Sequence, residues 1–112
     1  MKVTVQQALS RLSSESTAAD TDVSPFVPLM AGGSMSVEVF APRNQDPQQP
    51  HTQDELYFIH RGTAHLLIGS QRYDCANGDA FFVAAGVEHR FVDFSEDFVT
   101  WVVLNGPCGG ER

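Results

Sequence analysis

Two short segments hold the side chains best suited to chemistry. The first reads Gln49-Pro50-His51-Thr52-Gln53-Asp54-Glu55, and the second runs from Gly78 to His89. Between them they offer two imidazoles (His51, His89), one carboxylate (Glu55) and one amide (Gln49). Nitrogen and oxygen donors of these types form the inner shell of many divalent-metal sites. The same residues could instead form a hydrogen-bonded polar cluster, with no ion.

Strand geometry limits how these residues can meet. Residues two apart, such as Gln49 and His51, share one face of a strand about 7 Å apart. His51 and Glu55 are four apart and would stand about 13 Å apart on one straight strand. A helix would bring them together, but Pro50 and the β-prone run Tyr57-Phe58-Ile59 oppose one. A turn through Thr52-Gln53-Asp54 solves the geometry, because these are turn-forming polar residues. His51 then ends one strand, Glu55 begins the next, and His89 starts another after the turn at Ala85-Gly86. All of them can sit at one mouth of a barrel. Parity then supplies the wall. Tyr57 and Ile59 face inward with Glu55, and Phe91 and Asp93 face inward with His89. Gln53 is a further candidate for hydrogen-bonding a ligand. His60 and His65 belong to neither segment and are read as structural.

The surrounding elements fit this plan. Thr4 can cap a short helix whose Val5, Ala8, Leu9 and Leu12 share one face. Ser13 to Thr21 is a Ser/Ala/Asp-rich loop. From Pro25 the period becomes strand-like, with Met35, Val37 and Val39 alternating with polar neighbours. Pro42 to Pro50 is a polar, Pro-punctuated loop. Turn signals then recur at Arg61-Gly62, Gly69-Ser70, Asn77-Gly78 and Ala85-Gly86, and Gly-Ser and Asn-Gly are hairpin signals. Short strands rich in Val, Ile, Phe and Tyr between regular turns predict an all-β antiparallel sandwich or barrel. Residues 1–112 read as one domain, with an N-terminal helix and loop over 1–24 and a tail over 105–112.

Several strands are apolar on both faces, as with Leu56 and Phe58 against Tyr57 and Ile59. A barrel has one interior, so the outer face needs cover. The N-terminal helix can supply part of it and a second copy of the chain the rest, which predicts a homodimer. A net charge of −7 argues against nucleic acid and against anionic membrane surfaces. No apolar run approaches a membrane span, and no signal peptide is evident at the start. A cytoplasmic protein with Cys75 and Cys108 reduced is the expectation. Phosphate-loop and nucleophile-elbow motifs are missing from the sequence.

The two segments resemble the paired motifs of the cupin superfamily. His51, Glu55 and Gly62 match the first motif, with Gln49 in the place of its first His. Gly78, Gly86 and His89 match the second, with Ala84 in place of a Pro and Asp93 in place of an Asn. The resemblance covers roughly Val37 to Leu104 and is to the small single-domain bacterial cupins. It implies a double-stranded β-helix, or jelly-roll-like barrel. It also implies a divalent metal ion held by His51, Glu55, His89 and Gln49. Two His and one carboxylate suit non-heme Fe(II) with open positions, and the same set holds Mn, Ni or Zn. A largely apolar interior with Tyr57, Ile59, Phe91 and Gln53 near the ion suits a small organic ligand. A metalloenzyme of dioxygenase or isomerase type, a non-catalytic binding or sensor module, and a barrel with a structural metal all remain open, because one fold serves many functions.

Overall fold

The computed structural model describes residues 2–15, 26–43, 46 and 51–109, and over 12–15 only the course of the helix. Gln49, the side chain of Leu12 and the Ser/Ala/Asp-rich segment 16–21 lie outside the described residues.

The chain opens with helix α1 (Val5–Glu15). Its start is closed by a reciprocal cap. The Gln7 backbone N–H donates to Thr4 Oγ1 at 3.1 Å, and the Thr4 N–H donates to Gln7 Oε1 at 2.9 Å. Two otherwise orphaned donors are satisfied this way. Eight strands follow among the described residues: β1 (Phe26–Gly32), β2 (Met35–Phe40), β3 (Asp54–Arg61), β4 (Ala64–Ile68), β5 (Gln71–Cys75), β6 (Ala80–Val83), β7 (His89–Val92) and β8 (Val99–Asn105). They form a five-stranded sheet in the order β1-β2-β8-β3-β6 and a three-stranded sheet in the order β5-β4-β7. The paired strands are antiparallel. The chain passes between sheets at Gly62, over 76–79, over 84–88 and over 93–98. The result is the expected all-β, jelly-roll-like barrel with a short N-terminal helix. No helix among the described residues is long and apolar enough to cross a membrane.

Gly69-Ser70 is the expected hairpin, joining β4 to β5. Asn77-Gly78 is not, because β5 and β6 lie in different sheets. Here the turn docks onto the opposite sheet. Gly78 N–H donates to the Ile59 carbonyl at 2.9 Å, and the Asp79 carboxylate accepts the Ala76 N–H at 2.9 Å. A local turn signal does not say which strand its partner will be.

Alternation on β3 is clean. Glu55, Tyr57 and Ile59 are buried, whereas Leu56, Phe58 and His60 are exposed. The inward residues join Phe40, Leu66, Phe91, Phe98, Val102 and Leu104 in the barrel core. Phe91 packs edge-on to the Tyr57 ring, with centroids 5.0 Å apart and planes at 85°. Buried aromatics of this kind each contribute about 2–3 kcal/mol. A second core lies outside the large sheet, where Ala8, Val5 and Leu9 of α1 cover Val27, Val39, Ala41 and Val99. The helix reaches β1 and β2. Leu56, Phe58 and Phe82, farther along the same face, remain exposed.

Asp93, expected to point inward, points out. β7 ends at Val92, and Asp93 has a left-handed backbone with φ 52°. Its carboxylate sits 3.2 Å from Arg72 Nη2 and 3.4 Å from His65 Nδ1 on the outer surface.

Candidate metal centre

His51, Glu55 and His89 each place a ligand atom within 4.8 Å of the others. Glu55 is the second residue of β3 and His89 opens β7, so the donors come from both sheets. His51 lies in the bend that leads into β3. Two bonds lock this bend to the β6–β7 turn. Gly86 N–H donates to the His51 carbonyl at 2.7 Å, and Ala85 N–H donates to Asp54 Oδ1 at 2.9 Å. The two motif segments are therefore stapled at the site by one backbone–backbone bond and one backbone–carboxylate bond.

Glu55 Oε1 is 3.2 Å from His89 Nε2, and Glu55 Oε2 is 3.7 Å from His51 Nε2. Glu55 and His89 are almost fully buried. His89 Nδ1 lies 2.9 Å from the Val87 carbonyl, which fixes the ring and aims Nε2 into the site. Burial by itself opposes a charge on His89. The hydrogen bond to Glu55, and then that to Val87, outweigh burial and raise the imidazole pKa above its ordinary value. Tyr57, wholly buried, donates its hydroxyl to Glu55 Oε2 at 2.9 Å, and the oxygen is 3.0 Å from His89 Nε2.

His51 Nε2 is buried and has no hydrogen-bond partner among the described residues. A buried imidazole nitrogen that faces a carboxylate and lacks a protein partner among the described residues is what a bound cation would satisfy, and the nitrogen and oxygen donors suit a divalent transition metal.

The other expected residues divide. Ile59 and Phe91 join Tyr57 in the barrel wall beneath the site. Gln53 does not face the site. Its Nε2 donates to the carbonyls of Ser34 at 2.8 Å and Gly106 at 2.9 Å, so the amide straps the β1–β2 turn to the end of β8. This corrects its assignment to ligand binding, since both of its N–H donors are already used. His60 is exposed on the outer face of β3, and His65 faces Asp74 and Asp93 on the outside of the small sheet.

Two residues near the site were missed. Glu38 on β2 pairs across from Val102 and shares the inward parity of Phe40. Burial raises its carboxyl pKa, with a smaller downward pull from His51 and an upward push from Glu55. Its parity along 35–40 was the available signal. Asp46 is buried, and its Oδ2 accepts the Phe91 N–H at 2.9 Å. Nothing in a polar, Pro-rich loop marks it in advance.

Residues 36–105 match the Cupin domain family. The chain belongs to the cupin family. This cupin is 35% identical over 101 residues to an uncharacterized protein of Streptomyces coelicolor, which spans 88% of this chain and 93% of the relative. A cupin-2 domain protein from Shewanella frigidimarina superposes with a TM-score of 0.63 at 13% identity, over 88% of this chain and 91% of that one. HppE, crystallised as its Fe(II) form with the alternative substrate (S)-1-HPP, superposes with a TM-score of 0.59 at 18% identity, over 72% of this cupin and 48% of that chain. At these identities the solved structures speak to the fold alone.

Proposed function

We propose that this cupin holds one divalent metal ion at the barrel mouth through His51, Glu55 and His89, and that a small organic molecule meets it there. The carrying observation is the His51 Nε2 atom, buried without a hydrogen-bond partner among the described residues, in one of three residues whose ligand atoms lie within 4.8 Å of one another. Two His and one carboxylate leave open positions and favour Fe(II), with Mn, Ni and Zn as the other candidates. HppE, of the same fold, was crystallised with Fe(II) and a small substrate. When bound, such an ion polarises a substrate oxygen or, as iron, supplies a redox centre for O₂. The chain's residues do the rest. Val87 fixes the His89 ring, Tyr57 orients the Glu55 carboxylate, and Ile59 and Phe91 form an apolar floor that excludes water.

The test is metal content by elemental mass spectrometry on wild type and His51→Ala, purified without chelator or nickel resin. About one equivalent in the wild type, at least tenfold less in the variant, is expected. No metal in either, and none taken up on adding Fe, Mn, Ni or Zn, would refute the reading.

The assembly we read is a homodimer. Phe82, Leu56, Val103 and Val37 form one cross-strand row on the outer face of the large sheet, with no charged residue in it. Two chains of net charge −7 can meet there without like-charge contact.

A further inference from the structure

The Tyr57 hydroxyl stands in contact with two of the three donors, Glu55 and His89. Two atoms held by one ion through bonds of about 2.1 Å lie about 3.0 Å apart at a right angle and about 3.4 Å apart at the tetrahedral angle. Tyr57 Oη is 2.9 Å from Glu55 Oε2 and 3.0 Å from His89 Nε2, and Glu55 Oε1 is 3.2 Å from His89 Nε2. These separations match neighbouring corners of one coordination sphere. The phenol oxygen also has little freedom to retreat. Tyr57 is two residues from Glu55 on the same face of β3, is wholly buried, and is braced by the Phe91 ring.

We propose that Tyr57 is itself a metal ligand, its phenol oxygen forming a fourth donor beside His51, Glu55 and His89. The proposal rests on the metal reading above. In the metal-free protein the hydroxyl donates to Glu55. On coordination as phenolate its proton passes to water, the oxygen–metal bond forms, and nothing is oxidised or reduced. The donor that a first-motif His supplies in other cupins comes here from the middle of a strand.

Ferric iron is the probe, because phenolate-to-iron(III) charge transfer absorbs visible light. The metal-free protein is loaded with ferric citrate, bound iron is counted by elemental mass spectrometry, and visible and resonance Raman spectra are recorded. The chain has two tyrosines, and the other, Tyr73, is exposed on β5. The expected result is a visible band with phenolate ring modes in wild type and Tyr73→Phe, lost in Tyr57→Phe while bound iron stays within about twofold of wild type. Iron bound without the band in wild type overturns the assignment and leaves the metal reading standing. No uptake of any metal overturns both. Should Tyr57→Phe not fold, wild type and Tyr73→Phe still decide, since a band that vanishes in Tyr73→Phe overturns the assignment.

Discussion

Gly62→Ala should be severely destabilising, and a matched substitution shows why. Gly62 carries the chain from β3 in the large sheet to β4 in the small one. Its φ is +84°, and a Cβ there would stand 2.6 Å from both Phe98 Cα and Ser95 Oγ. The left-handed backbone costs an alanine about 1–3 kcal/mol. The contact with Phe98 is with backbone and cannot be relieved by turning a side chain, so overpacking adds a similar amount. A loss of about 4 kcal/mol is expected, a large share of a total stability of about 5–15 kcal/mol. Gly69 in the β4–β5 hairpin has φ +56° but open space where its Cβ would be. Gly69→Ala should lose only about 1 kcal/mol. Urea unfolding of both variants isolates the contact, and thermal melts should differ by about 10 °C. Equal losses, within about 0.5 kcal/mol, would refute the steric reasoning.

Three further outcomes are expected. His89 has a raised pKa when folded, so its contribution to metal-free stability is full below the ordinary value of 6.5 and is lost as pH rises through the raised one. A metal ion competes with that proton, so the metal-induced rise in Tm should grow over the same interval. An increment that does not change with pH, or the same metal-free pH dependence in Glu55→Gln, contradicts this. Burial, aided by Asp79 and Asp74, pushes the Cys75 thiol up to about 11, whereas Cys108 is exposed. Iodoacetamide at pH 8 should label Cys108 at least about a hundredfold faster. Prompt native labelling of Cys75, read by peptide mass mapping, is the contrary result. Light scattering at micromolar concentration should give twice 12.3 kDa, and Phe82→Glu should give monomer. A monomeric wild type ends the dimer reading.

Much of the architecture could be read from local patterns because local physics decides it. Thr4-x-x-Gln7 closes the helix start by contacts within one turn. The alternation of Glu55, Tyr57 and Ile59 with Leu56, Phe58 and His60 settles which face of β3 is inside. Extrapolation along a strand fails where the strand stops. Counting by twos from His89 reaches Phe91 correctly, but Asp93 has already left the ladder with a positive φ and turned to Arg72. Long-range pairing is silent in one sequence. Gln53 finds its partners at Ser34 and Gly106, far away in the chain. The meeting of Tyr57 Oη with both Glu55 and His89 depends on how the two sheets close. Parity places the ring inward, but not its oxygen between two donors.

The division of donors between the sheets also bears on time. With only one sheet formed, the chain has His51 and Glu55 or His89, never all three. Closure joins residues distant in sequence, a slow kind of contact to make. An ion held by all three therefore grips little before the sheets have met. It would leave the folding rate almost untouched and slow unfolding instead. The native state would then persist longer, a kinetic protection separate from the equilibrium gain.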